Sequence, residues 1–321
     1  MPRGIFISGK FDLRLRDTPY STLAQAFQGL IRQILNGQDA DIDRWRNAIR
    51  EAVGKQARLL TDLIPELTIL IGPQPPIPPL SPLETQLRFQ SVLQKFVGVF
   101  ARAEHPLVVF IDDLQWLDPA TLTVVEFLIT HPDTRHLLLI GAYRDNEVGA
   151  DHPLMSTLSG IRKSGARVGE ISLDPLSVDD FTQLVSDALG CGHEQALPLA
   201  ALAHGKTAGN PFFGGQFLNN LVEEGLVEID PNSRSWRWSL QSIESKGFTE
   251  NVVDLMVQRL QRLPPGTQDA LKRLASLGSR ADFGTLAKIQ SGSEAQVHAD
   301  FADAVRVGAI QSRGAELQVL A

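Results

Sequence analysis

Apolar positions along the chain fall into two rhythms. Residues 4–8 (GIFIS), 107–111 (LVVFI), 137–143 (LLLIGAY) and 168–173 (VGEISL) are short, mostly apolar runs of strand length. Between them the spacing turns helical. Leu23, Phe27, Leu30, Ile31 and Ile34 recur on one face of DTPYSTLAQAFQGLIRQIL, and helix is expected through about Leu70. Residues 72–82, GPQPPIPPLSP, break the pattern, because five prolines fall within eight residues. A helix is expected to resume with Leu87, Val92, Phe96 and Val97 on its buried side. Apolar strands alternating with helices predict a parallel sheet covered on both faces, within a first domain over 1–174.

The rhythm changes after Leu173. Ser177 and Asp180 form a capping-box pair ahead of a helix burying Phe181, Leu184, Val185 and Ala188. A second amphipathic helix follows GKTAGNPFF and stops at Gly225. VEIDPNSRSWRWSL reads as a β-hairpin turning at Pro231-Asn232. From Thr249 onward helices return, with Leu255, Leu260, Leu271 and Leu274 expected to be buried.

The 321 residues suffice for two or three domains, and 43% apolar with 21% charged residues is the balance of a soluble globular chain. A net charge of −7 argues against nucleic acid as the main partner, since phosphate binding needs clustered Lys and Arg. A single cysteine, Cys191, excludes an internal disulfide and a Cys-rich zinc site. No apolar run approaches the ~20 residues of a membrane span, and MPRGIFISGKF lacks a signal-peptide core. The expected location is the cytoplasm.

Three stretches carry candidate chemistry. The strand 107–111 ends on Asp112 and Asp113, at the edge of a parallel sheet where ligands bind. One carboxylate there can hold Mg²⁺, usually through water, and its neighbour can orient or deprotonate a water. The plainer alternative is a pair that caps the next helix. In HLLLIGAYRDNE a second strand delivers Arg144, which can reach a terminal phosphate or can simply pair with Asp145 or Glu147. In GNPFF, Pro211 beside Phe212 and Phe213 can pack on a base or can open a helix whose aromatics are core.

Taken together, LVVFIDDLQWLD, LLLIGAYRDNE, LDPLSVDDFTQLVSDAL and KTAGNPFFGGQFL resemble the ATPase module of the STAND class of AAA+-related signalling ATPases. The likeness is greatest to the module of bacterial, notably cyanobacterial, proteins with a Ser/Thr kinase domain before it and a GAF domain and sensor histidine kinase after it. It spans nearly the whole chain, GIFISGKFDLRLRDTPYS and LTILIGPQPPIPPLSPLETQLRF included. The resemblance implies an α/β, P-loop NTPase-like parallel sheet, then an α-helical lid over 175–244 and a winged-helix-like domain over 245–321. It implies ATP and Mg²⁺ as cofactors, Asp112 as the Mg²⁺-side Walker B acid, and Asp113 as the water-activating acid. It implies Arg144 as the sensor arginine, and Asn210 and Pro211 as nucleotide contacts of the GNP turn. The implied partners are the kinase and sensor domains, with no membrane.

The same family places a Gly-rich phosphate loop ahead of the GIFISGKFD strand, and its sheet holds that first strand in a central slot. This sequence starts at GIFISGKFD, so the expectation is a module without its first strand and Walker A loop, whose sheet is empty or split at that slot. Gly4–Lys10 matches GxxxxGK in spacing, but Phe11 stands where the Mg²⁺-binding Ser or Thr belongs, and Ile5, Phe6 and Ile7 leave no flexible nest of amides. Asp282–Gly284 (DFG) has no kinase context. The competing functional readings are a catalytically inactive interaction scaffold and a winged-helix transcription regulator. The net charge opposes the second.

Overall fold

The computed structural model describes residues 4–11, 18–78, 81–246, 257, 260–277, 280–290, 292–313 and 316–319. The chain divides into two compact units, Met1–Gly169 and Glu170–Ala321.

The first unit is α/β. Its sheet has three parallel strands in the order β1 (Ile5–Lys10), β2 (Leu107–Asp112) and β3 (Leu137–Gly141). The register sets Lys10 directly beside Asp112. Alternate residues Ile7, Leu107, Val109 and Ile111 are buried in one large core. The helix α1 (Ser21–Leu35) packs on β1, and Leu23, Phe27, Leu30, Ile31 and Ile34 are all buried, as their spacing predicts. Gly9 permits this approach. A Cβ there would lie 2.3 Å from the backbone oxygen of Thr22.

Three further helices, α2 (Asp39–Val53), α3 (Arg58–Leu63) and α4 (Pro65–Ile71), complete the stretch to the prolines. Arg46 and Arg50 donate to the carbonyls of Leu70 and Ile71, satisfying two acceptors that the end of α4 leaves free. After the proline run, α5 (Pro82–Phe100) starts from a full capping box between Ser81 and Glu84. Val92, Phe96 and Val97 are buried as predicted, but Leu87 is exposed: it sits in the first turns, before α5 enters the core. Two more helices, α6 (Pro119–Thr130) and α7 (Pro153–Lys163), pack against each other.

Two expectations about the sheet fail. The sheet is covered on one face only, since on the other Phe6, Leu138 and Ile140 are exposed. Residues 168–173 form no strand, and Ile171 and Leu173 lie nine-tenths exposed. An apolar run without a neighbour to complete its ladder has no reason to adopt a strand. Among the described residues nothing pairs with the outer edge of β3.

The second unit holds two separate cores. The first gathers Phe181, Val185, Leu199, Phe217, Leu221 and Val227 from α8 (Val178–Leu189), α9 (His193–Thr207), α10 (Pro211–Glu223) and the hairpin strands β4 (Val227–Ile229) and β5 (Trp236–Trp238). The Ser177–Asp180 capping box opens α8, and Gly225, at φ 67°, follows the end of α10. Asp230 accepts from the backbone of Asn232 and Ser233 and fixes the hairpin turn. Contrary to expectation Ala188 is exposed and Leu184 only half-buried, because the buried stripe of α8 runs through Thr182 and Ser186 instead.

The second core is built from helices Pro265–Leu277, Phe283–Gln290 and Glu294–Arg306 with an antiparallel sheet of β6 (Arg280–Asp282), β7 (Ile310–Arg313) and β8 (Glu316–Val319), in the order β6-β8-β7. Leu274 is fully buried, Leu271 only partly, and Leu260, ahead of the first of these helices, is exposed. Leu255 lies outside the described residues. Asp282 of the DFG triplet caps the second helix, accepting from Thr285 N at 2.8 Å. No helix among the described residues is long and apolar enough to cross a membrane.

Candidate functional site

The carboxyl end of the first unit's sheet gathers the polar groups. β2 runs through Ile111 and stops at Asp112, because Asp113 takes the left-handed conformation at φ 57°. That turn is costly for a non-glycine residue, though an aspartate tolerates it better than most. A 3₁₀ turn over Leu114–Trp116 follows, tied back to the sheet by Leu114 N–H donating to Ala142 O. Gly141 makes room: a Cβ there would meet Leu114 Cδ1 at 2.2 Å.

The acid pair does not cap the next helix. Asp118 does that for α6, accepting from Thr121 N at 2.8 Å. Asp112 and Asp113 are therefore free of helix-capping duty. The Asp112 carboxylate is one-third exposed, while that of Asp113 is almost entirely buried. Asp113 N–H donates to Asp112 Oδ1 at 3.0 Å.

Lys10 closes the cluster. Its Nζ stands 3.2 Å from Asp112 Oδ2 and 3.4 Å from Asp113 Oδ2. The match of Gly4–Lys10 to a phosphate-loop spacing is thus a coincidence of sequence. The stretch is a strand whose ladder with β2 uses the amides that a phosphate would need.

Gln115 is the link that sequence reasoning missed. It is buried, and its Nε2 donates to Asp113 Oδ1 at 3.2 Å. Its Oε1 accepts from Arg144 N–H at 3.3 Å. His152 fixes the other side of the same turn: its Nδ1 accepts from Leu154 N–H, so Nε2 carries the proton and donates to Gln115 O at 3.0 Å. Only a polar residue two positions past the acids hinted at this network.

Arg144 follows β3 at the same end of the sheet as the acids. Its guanidinium pairs with Glu147 at 3.4 Å and lies 5.8 Å from the Trp116 ring centre. Asn210 and Pro211 belong to the second unit. Asn210 Oδ1 accepts from Phe212 N and Phe213 N and caps α10, whose first residue is Pro211. Phe212 and Phe213 are half-buried.

The cluster fits Mg²⁺ only in part. Asp112 offers an accessible carboxylate, but no group of three or more potential ligands occurs among the described residues. A Mg²⁺ ion there would be held through water and through phosphate oxygens, as that ion prefers.

Residues 2–140 match the family model of the AAA ATPase domain. The chain is also similar to the hybrid signal transduction histidine kinase G of Dictyostelium discoideum, at 25% identity over 354 residues. That alignment covers 91% of this chain and 10% of the relative, so the chain spans about a tenth of the relative's length. Among solved structures, variants of Thermotoga maritima RuvB align at 12–15% identity. One alignment covers 88% of this chain and 92% of the other, with a TM-score of 0.31; a second covers 67% of each, at 0.29. At such scores the RuvB likeness carries no argument.

Proposed function

We propose that the chain is an AAA-type ATPase module of a signalling protein, and that Asp112, Asp113 and Arg144 form the acid and sensor half of its Mg–nucleotide site. The supporting observation is the pair of acids at the carboxyl end of β2, joined through Gln115 to the backbone of Arg144. The match of residues 2–140 to the AAA ATPase domain and the likeness to a histidine kinase favour the same reading.

Bound MgATP would supply the phosphoryl group and the metal. Asp112, the accessible acid, would hold the metal's water shell. Asp113, buried and fixed by Gln115, would align a water and take its proton. Arg144 would turn from Glu147 toward the terminal phosphate, where a guanidinium offsets developing charge. For Asn210 and Pro211 the only support is the family resemblance, because helix capping already accounts for both. The organisation into a core over 1–174, a helical lid over 175–244 and a winged-helix-like domain over 245–321 belongs to the same proposal. The three helices and antiparallel sheet of the last segment favour it. Kinase and sensor domains are the partners this reading assigns.

Residues 1–321 alone are expected to bind MgATP weakly. A phosphate loop supplies several backbone N–H donors and a lysine. Each charge-assisted bond is worth about 1.5–3 kcal/mol. Three of them amount to roughly 5 kcal/mol, more than a thousandfold in affinity. Ligand-observed NMR at millimolar ATP tests the reading. Weak, Mg²⁺-dependent binding that Asp112→Asn abolishes is the expected result. Equal behaviour of wild type and Asp112→Asn would favour an inactive interaction scaffold. Micromolar binding in calorimetry that Lys10→Ala removes would restore GIFISGK as a phosphate loop.

A further inference from the structure

The position of Lys10 is set by its backbone. It ends β1 directly beside Asp112 in the register, and its N–H donates to Gln25 Oε1 at 2.8 Å. On one side Gly9 is pressed against Thr22 of α1. On the other, Phe11 is buried and its ring lies 5.8 Å from that of Trp116. With three consecutive residues pinned, the side chain alone can move. Its ammonium lies within ion-pair distance of both carboxylates, at 3.2 and 3.4 Å.

We propose that Lys10 is the resident counter-ion of the acid pair, and that a divalent cation reaches Asp112 only by displacing this ammonium. Lys10 would then set the metal concentration at which the site is loaded. The inference rests on the reading of Asp112 as the metal-side acid. A lysine suits the task because it is a compact charge on a flexible stem. The side chain is 38% exposed, so it can swing into water, whereas Asp113 beneath it is buried and held by Gln115. The competition is simple: the metal's apparent affinity falls by the fraction of time for which the ammonium is absent from the pair. An ammonium held there nine-tenths of the time lowers affinity about tenfold.

The test uses Mn²⁺ alone, without nucleotide, titrated into chain 1–321 with free ion read by electron paramagnetic resonance. Lys10→Met and Lys10→Gln, each checked for folding by circular dichroism, are expected to bind Mn²⁺ about tenfold more tightly than wild type. Adding Asp112→Asn should erase the gain. Unchanged or weaker binding in a folded variant, or a gain that survives Asp112→Asn, would overturn the proposal. A further measurement needs no variant: Mg²⁺ should raise the acylation rate of Lys10 in the wild-type chain, mapped by mass spectrometry, and an unaltered rate overturns the proposal as well. Because no ATP is present, a chain that fails to bind nucleotide can still pass, and a chain that binds nucleotide can still fail.

Discussion

Replacing Gln115 by Met tests the buried network under the acid pair. Methionine fills nearly the same volume, so little cavity is created and the loss is almost purely polar. Two hydrogen bonds disappear. Arg144 N–H is only partly buried and can turn to water, so its loss is small. Asp113 Oδ1 has no such recourse, since its side chain is only 8% exposed. A bond to a charged group is worth about 1.5–3 kcal/mol, and the expected loss is about 2 kcal/mol. For a unit of this size that lowers the melting temperature by roughly 4–8 °C. Urea unfolding followed by the fluorescence of Trp45 and Trp116, with unit-resolved hydrogen exchange, reads the first unit separately from Trp236 and Trp238. Gln115→Glu should cost more, because it sets a second carboxylate against Asp113, and part of that excess should vanish in acid. A Gln115→Met loss below about 0.5 kcal/mol would refute the reasoning, for it would mean that water replaces Gln115 at Asp113 Oδ1.

Gly9→Ala should destabilise the first unit by about 3 kcal/mol, since the new methyl meets a fixed backbone oxygen; Gly141→Ala should cost about 1–2 kcal/mol, because the Leu114 side chain can give way. Chemical denaturation of both variants checks the order. Asp282→Ala removes a helix cap and should cost about 1 kcal/mol, measured by hydrogen exchange in Pro265–Arg306. In the second unit the hydrogen bond from Lys246, with Arg262 adding to it, holds the Glu224 carboxyl below its ordinary value. A depressed folded value contributes stability above the unfolded glutamate value of about 4.3, lost as pH falls through the folded one. Acid titration of stability should show that loss in wild type and not in Glu224→Gln.

Much of the fold was legible because local pattern and tertiary role agreed. The run ending in Asp112 and Asp113 is apolar throughout, as a central parallel strand must be, and it is β2. The Ser177 capping box and the hairpin about Pro231-Asn232 carry their own local chemistry, and both form. The failures are tertiary in origin, of two kinds. Residues 168–173 have strand composition, but a strand is a pairing and not a composition, and among the described residues no neighbour pairs with them. Leu87, Ala188 and Leu260 fit helical spacing, yet periodicity fixes a face without saying how far along its length that face stays covered.

The acid pair was legible for a chemical reason, and its partner was hidden for a topological one. Two neighbouring carboxylates at the end of an apolar strand need a compensating charge, because one of them is nearly buried and an unpaired buried charge is costly. That requirement follows from the burial of Asp113. The sequence does not announce the compensating group, since it lies about a hundred residues away. Only the parallel register of β1 and β2 brings Lys10 beside Asp112. In isolation GIFISGK suggests a phosphate loop, whose lysine would face an anion from outside the protein. Laid along β2, the same lysine faces two anions of its own chain. The glycine before it then has a different purpose, which is to let α1 approach the sheet. One residue thereby links packing to electrostatics: the contact that seats β1 under α1 also fixes where the cation stands, so any change that loosens Gly9 or Gln25 should also loosen the hold on Asp112 and Asp113.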